Sequence, residues 1–343
     1  MGGTIKDVAR LAGVSMSTVS AALNNGPGVS ENTRFRIIAV AEKLHYEPNI
    51  LARGLVTKRS HTIGLVISDI ANPFFTKIVR GIEDVAYKNN FNLILCNTDE
   101  NVEKERMYLR VLYGKRVDGL IITVTEGSGE DIKEMLRENI PIVLLDRKLN
   151  GIRTDSVVVD NIEGSYQAVS YLISLGHERI GIISGPKGII SGRDRLEGYL
   201  KALRDHDPKV DEELIKEGKF KENGGYDKTC EFVEMTNPPT AMFVANNQMV
   251  LGALRALRER KIGVPDKMAV IGFDDMDWAP LTYSPLTTVS QSTYVLGTSA
   301  AELLTKRING KAPSKPQEIV LKPKLIIRES CGGQGKQLPV CQS

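Results

Sequence analysis

The sequence predicts a small all-α head joined by a short linker to a two-lobed α/β core built on two parallel sheets. Three observations carry that expectation. Residues 4–45 show helical periodicity broken by tight turns, and from residue 62 onward short β-rich apolar runs alternate with helical stretches. The excess positive charge is confined to the first 60 residues. At 343 residues the chain exceeds one ordinary domain, and its 41% hydrophobic and 25% charged content is that of a folded, water-compatible protein. No apolar run approaches the ~18 residues a membrane span needs. The start, MGGTIKDVARLAGVS, has no apolar signal stretch, so a cytoplasmic location without membrane contact is expected. Cys96, Cys230, Cys331 and Cys341 are scattered without metal-ligand spacing, which argues against a zinc site or a disulfide framework.

The head reads as three short helices. Thr4 and Asp7 form a capping-box start, Ile5, Val8, Ala9 and Ala12 make one apolar face, and Gly13 ends the helix. Ser15 caps the second helix, with Val14 clasping Val19 as a hydrophobic staple. Val19, Ala22 and Leu23 point inward, leaving the short or slim Met16, Ser17, Ser20, Ala21 and Asn24 outside. A third helix runs from Ser30 to about His45 and is expected to bury Ile37, Ile38, Ala41 and Leu44. Two short helices joined by a tight turn and closed by a third is the helix-turn-helix plan, although an ordinary three-helix cap has the same pattern. Eight Lys/Arg against four acids in residues 1–60, on a chain that is only +3 overall, are what a polyanion-binding module would show, although a merely solvated charged segment looks similar. A slim outer face also suits a helix that must enter the ~12 Å major groove.

The strings TIKDVARLAGVSMSTVSAALN and GVSENTRFRIIAVAEKLHYEPN strongly resemble the head of the LacI/GalR family of bacterial transcription regulators. That resemblance implies that Met16, Ser17 and Ala21 read bases, while Ser15, Thr18, Ser20, Asn24 and Asn25 contact phosphates or support the fit. His45 stands where the family pattern has glycine, which predicts a mildly strained helix end. Ala21 replaces a polar reader and points to apolar contact. After Pro48, NILARGLVTKRS resembles the family's hinge helix, too short to be stable alone. Leu55 matches its minor-groove wedge, flanked by Ala52 and Arg53; the alternative is a plain linker whose Leu55 packs on the core.

In the body, strands are expected at 62–68, 92–97, 119–124, 142–146, 156–160, 179–185, 241–246 and 269–275, with helical periodicity at 76–90 and 163–176. Strand–helix alternation argues parallel sheets with helices on both faces. Polar residues gather where the apolar runs end: Asp69, Asn72, Asn97, Asp99, Asp146, Arg147, Asp160, Asn246, Asn247 and Asp274. Ligands of open parallel sheets bind beyond the carboxyl ends of strands, so these groups converge on one crevice if two sheets face each other. Each alone could be a helix cap; the recurrence is the signal.

ANPFF, KRVDGLII, LLDR, VVVDN, LGHERIGIISGP, RLEGY and VIGFDD…SPLTTVSQ resemble the regulatory core of the same family, a periplasmic-binding-protein-like (type I) pair of Rossmann-like lobes. The resemblance implies domains at 1–48 (head), 49–60 (hinge), 61–161 with about 291–320 (first lobe), 162–290 with about 321–330 (second lobe) and a disordered tail at 331–343 in which Cys331 and Cys341 are incidental. It places Asn72, Phe74, Phe75, Asp146 and Arg147 around the ligand from the first lobe. Arg195, Asn246, Asn247 and Asp274 follow from the second, with Arg193 a neighbour. Asn247 replaces the more usual Asp. Asp and Asn accepting hydroxyl hydrogens, forked Arg donors and Phe faces suit a sugar or sugar derivative. Trp278 either adds a stacking face or anchors its loop.

Enzymatic readings lack support. GPKGIISGRD has neither P-loop nor dinucleotide-fingerprint spacing, and His45, His61, His177 and His206 pair with no nucleophile or metal set. The expectation is therefore a non-enzymatic, cofactor-free repressor, a homodimer or larger, on a pseudo-palindromic operator in double-stranded DNA. A carbohydrate effector between the lobes would control it. A purine-type corepressor or a free-standing sugar receptor are the alternatives.

Overall fold

The computed structural model describes residues 3–23, 26–46, 59–206 and 210–333. It divides into two units, residues 1–60 and 61–343.

In the first unit, α1 (Ile5–Ala12), α2 (Met16–Leu23) and α3 (Glu31–Lys43) pack around Val8, Val19, Ala22, Ile37 and Ala41. The capping box forms as its residues predict: Asp7 N donates to Thr4 Oγ1, and Thr4 N donates to the Asp7 carboxylate at 3.1 Å. Gly13 closes α1 at φ +64, a conformation glycine adopts without a Cβ penalty. Ser15 Oγ accepts from Thr18 N at 3.1 Å and so caps α2. The third helix ends at Lys43, and His45 lies at φ +47, the strained exit expected where glycine is missing. Ile38 corrects the expected core: it is exposed, because the 3.6-residue period turns it off the face that carries Ile37 and Ala41.

The second unit contains two sheets. The first uses β1 (Thr62–Ile67), β2 (Asn92–Asn97), β3 (Gly119–Ile122), β4 (Ile142–Leu145), β5 (Asp155–Val159) and the late β11 (Glu318–Leu321). The second uses β6 (Ile180–Ser184), β7 (Ile215–Glu217), β8 (Ala241–Val244), β9 (Ala269–Phe273), β10 (Thr287–Ser290) and β12 (Lys324–Ile326). The orders are β11-β5-β4-β3-β1-β2 and β12-β10-β9-β8-β6-β7, the same plan twice. Pairing is parallel except where β12 runs antiparallel to β10. The chain leaves the first lobe after β5, returns after β10 and leaves again after β11.

Central strands are buried on both faces, as parallel sheets require. Leu65, Ile67, Val143 and Leu145 pack with α4 (Pro73–Lys88) and α11 (Thr293–Ile308). Val66, Ile122, Ile142 and Leu144 pack on the other side with α5 (Val102–Gly114) and α6 (Gly129–Arg137). Gly81 and Gly297 let α4 and α11 touch, since a Cβ on either would meet the other's backbone. In the second lobe α7 (Asn161–Ser174), α8 (Ile190–His206), α9 (Glu222–Val233) and α10 (Asn247–Glu259) sandwich the sheet.

Eight expected strands are present: β2 keeps its expected bounds, β5 is shifted by one residue, and the others are shorter by one to two residues. The pattern did not reveal β7, β10, β11 and β12, because IKE, TTVS, EIVL and KLI are only three or four residues long, each with polar residues, and become strands only by adding to a formed sheet. Cys331 corrects the expected tail: it is fully buried, with Sγ 3.0 Å from Thr287 Oγ1, while Cys341 lies outside the described residues.

Candidate functional site

The carboxyl ends of both sheets face a cleft of about 160 Å³ in the second unit. Its walls come from loops after corresponding strands. Asp146 follows β4 and Asp274 follows β9, and each sits in the left-handed region, at φ +65 and +76. Each backbone N–H donates to a neighbouring strand at 2.9 Å, to Val157 O and Val289 O respectively. The loops after β2 and β7 also match: Asp99 and Glu100 (φ +54, +60) in one lobe, Lys219 and Phe220 (φ +57, +55) in the other. Non-glycine residues held there cost free energy, and such strain is retained where it aims side chains.

Both aspartates are almost fully buried, and burial pushes their carboxyls above the usual range. Arg147 and Arg195 oppose that rise at Asp146; at Asp274 Arg195 does so, helped by Gln291 Nε2 donating at 2.5 Å and Asn247 N at 3.4 Å. Arg195 is fixed on α8. Its Nε donates to Asn161 Oδ1 at 2.8 Å and its Nη1 to Ala245 O at 2.7 Å, and its guanidinium lies 3.7 Å from the Phe273 ring centroid. Burial pulls its pKa down, Asp274 and Asp146 counter that pull, and the guanidinium stays charged. Burial works most strongly against Arg147, but its two 2.7 Å bonds to Glu100 and the charges of Glu100, Asp146 and Glu105 together turn the net shift upward. Arg147 also donates to Val124 O, beside Thr125, whose N–H donates to buried Glu105 at 2.8 Å. Glu105 thus shapes the site from behind.

Contacts between the lobes cross one end of the cleft. Asn247 Nδ2 donates to Asn72 Oδ1 at 2.8 Å, Lys221 pairs with Asp69 at 3.1 Å and Lys77 with Asp277 at 2.7 Å. Asn72 and Asn246 are also helix caps, accepting from Phe74 N and Met249 N.

Of the residues singled out from sequence, Asn72, Phe74, Phe75, Asp146, Arg147, Arg195, Asn246 and Asp274 line the cleft together. Asn247 lies just behind, held by Asn72. Arg193 is a correction: it is exposed and outside the lining, because on α8 it points away from the face that carries Arg195. Trp278 packs against both lobes' cores and does not line the cleft. Sequence reasoning missed Glu100, Ser191, Phe220 and Gln291, which also line it.

In the first unit, Ser15, Met16, Ser17 and Ser20 are exposed and Thr18 and Ala21 half-buried, on the face of α2 opposite Val19 and Ala22. Ser15 Oγ lies within 2.7 Å of Ser17 Oγ and 2.8 Å of Thr18 Oγ1, which orders the start of the helix. Asn24, Asn25, Ala52, Arg53 and Leu55 lie outside the described residues.

Residues 4–49 match the model of the lacI family of bacterial regulatory proteins, and residues 169–331 that of a periplasmic binding protein-like domain. The HTH-type transcriptional regulator RegA of Clostridium saccharobutylicum is 39% identical over 332 residues, 96% of this chain and 99% of RegA. The chain belongs to the LacI family. Among solved LacI-family structures, the lac repressor dimer bound to operator and the anti-inducer ONPF superposes with a TM-score of 0.85 at 31% identity, over 96% of this chain and 99% of that one. The CelR–cellobiose complex gives 0.74 at 32%, over 96% and 99%. Membership of the LacI family makes the chain a DNA-binding transcriptional regulator rather than an enzyme. Among the described residues, no cluster of His, Cys, Asp and Glu could hold a metal ion, and no helix is long and apolar enough to cross a membrane.

Proposed function

We propose that the protein is a repressor whose homodimer binds a pseudo-palindromic operator, and that a sugar or sugar derivative in the cleft controls that binding. The observation that carries the effector class is the pair of buried aspartates meeting from opposite lobes around Arg195. Carboxylates held in this way accept hydroxyl hydrogens, Arg and Asn side chains donate, and Phe74, Phe75 and Phe220 supply apolar faces. A polyhydroxylated ring uses all three. The CelR complex with cellobiose supports the same class.

On the DNA side, the slim exposed face of α2 suits the major groove, with Met16 and Ser17 as readers. Asn24 and Asn25 would contact the backbone, and Ala52, Arg53 and Leu55 would meet the minor groove. A dimer reads two half-sites of opposite orientation.

The test pairs a thermal-shift screen over neutral sugars, phosphosugars and nucleobases with footprinting on selected DNA. The expected result is stabilisation by neutral sugars and a symmetric footprint that changes when the sugar is added. Stabilisation by nucleobases alone would replace the carbohydrate with a purine-type corepressor. Full-affinity binding to a lone half-site would overturn the dimeric operator.

A further inference from the structure

A second cavity, of about 240 Å³, abuts the cleft at Asp146, which borders both. The start of α8 divides them: Ser191 and Arg195 face the cleft, whereas Ile190 and Asp194 face the second chamber. Like the cleft, this chamber lies between lobes, with Val158 and Glu318 on one side and Ile162 and Asp194 on the other.

The two chambers differ in charge. The cleft holds Arg147, Arg195, Lys219 and Lys221 beside its acids. The second chamber holds Asp146, Asp160, Asp194 and Glu318, with Lys148 its sole cation among the described lining, and Lys148 is already paired with Glu318 at 2.8 Å. Asp160 is committed to capping α7 through Glu163 N. Asp146 and Asp194 remain. Asp146 is 6% exposed and accepts no hydrogen bond from any described residue; Arg147 Nε lies 3.6 Å away, and the charge of Arg195 acts on it without a hydrogen bond. Burial raises the Asp194 carboxyl as well, against Arg193 and Lys148. Two under-used acceptors beside the apolar faces of Ile162, Ile190 and Val158 fit hydroxyl donors on a ring with an apolar face and repel an anion.

Topology says which way a ligand can extend. The three inter-lobe contacts of Asn72, Asp69 and Lys77 arise where α4 follows β1, near one end of the first sheet. The second chamber lies over β4, β5 and β11, at the other end. A molecule larger than one ring therefore grows past Asp146.

Building on the carbohydrate reading, we propose that the effector is an uncharged oligosaccharide of at least two rings, one in the cleft and the next in the acidic chamber, with Asp146 bridging them. The test is calorimetric titration of the full-length protein with glucose and ribose, with cellobiose and maltotriose, and with glucose 6-phosphate. It is repeated on Ile162→Trp, which fills the chamber from a partly exposed position, and on Asp194→Asn. At least one neutral multi-ring probe should bind about tenfold or more tighter than either single ring, the worth of one or two added hydrogen bonds. Ile162→Trp should erase that advantage and leave single-ring affinity unchanged; Asp194→Asn should reduce it in part. Equal affinity for one ring and several, unaltered by Ile162→Trp, would overturn the second subsite while leaving the carbohydrate reading standing. Tightest binding of glucose 6-phosphate would do the same. Binding by no saccharide would overturn both.

Discussion

The two lobes share a strand order, a pair of left-handed aspartates and a pair of doubly left-handed loops, yet they treat their carboxylates differently. Asp274 is satisfied by Gln291 and by the Asn247 amide. Asp146 accepts no hydrogen bond from the described residues: it meets the edge of Arg147, whose fork is spent on Glu100, and the charge of Arg195. The duplicated fold thus fixes where a carboxylate stands, and the side chains around it decide how fully its acceptors are satisfied. In the cleft the second lobe's carboxylate is hydrogen-bonded and the first lobe's is not.

The sharpest way to break this comparison is Arg195→Ala, which removes the cation between the aspartates together with two hydrogen bonds and a ring contact. Urea unfolding should show a loss of about 3–5 kcal/mol, the usual consequence of stranding buried charge. Effector titration of the protein that remains folded should show no response. Unchanged stability and response would mean that Arg195 does not balance the pair.

Next in size is the contrast between Asp274→Asn and Asp146→Asn. The first weakens a charge-assisted bond from Gln291 and should cost about 1–3 kcal/mol without ligand. The second removes a desolvated, poorly satisfied charge and should leave unliganded stability unchanged or higher. Both should weaken effector binding. Equal destabilisation by the two would erase the distinction between lobes.

Acidity offers a smaller, graded test. Both carboxyls have pKa values raised above their unfolded values, so the folded state holds protons that the unfolded state has released. Their contribution to unliganded stability is therefore lost as pH rises from the ordinary carboxylate range through the raised values, and regained as it falls. An effector that donates to the ionised forms should bind more weakly as pH is lowered through the same window. Asp146→Asn should flatten that slope in calorimetric titrations, and an identical slope would assign the protons elsewhere.

The smallest effect is expected at Lys221→Ala, which cuts the partly exposed pair with Asp69 across the cleft. Unfolding free energy should change by about 0–1 kcal/mol, less at high salt. A loss well above that would mean that this surface pair, and not the buried residues, holds the lobes together.

Sequence alone determined the helices of the head, the central strands and part of the cleft's lining. Capping residues, 3.6-residue periodicity and unbroken apolar runs are local signals, so α1, α2 and the central strands were legible, as was Asp146 or Asp274 at the end of its run. Arg195 was named through family resemblance, and nothing local distinguished it from Arg193, two residues away. Only the packing of α8 put one inside and the other out. Glu100, Phe220 and Gln291 enter the cleft from loops whose left-handed turns or lobe crossings depend on contacts remote in sequence. The edge strands likewise exist because a formed sheet offers them hydrogen bonds, a non-local gain that so short a segment cannot announce. The tertiary structure also decided what pattern cannot encode: that one aspartate of a matched pair is satisfied and its twin is left open. Hydrogen-bond satisfaction is a property of neighbours in space, whereas periodicity is a property of neighbours along the chain.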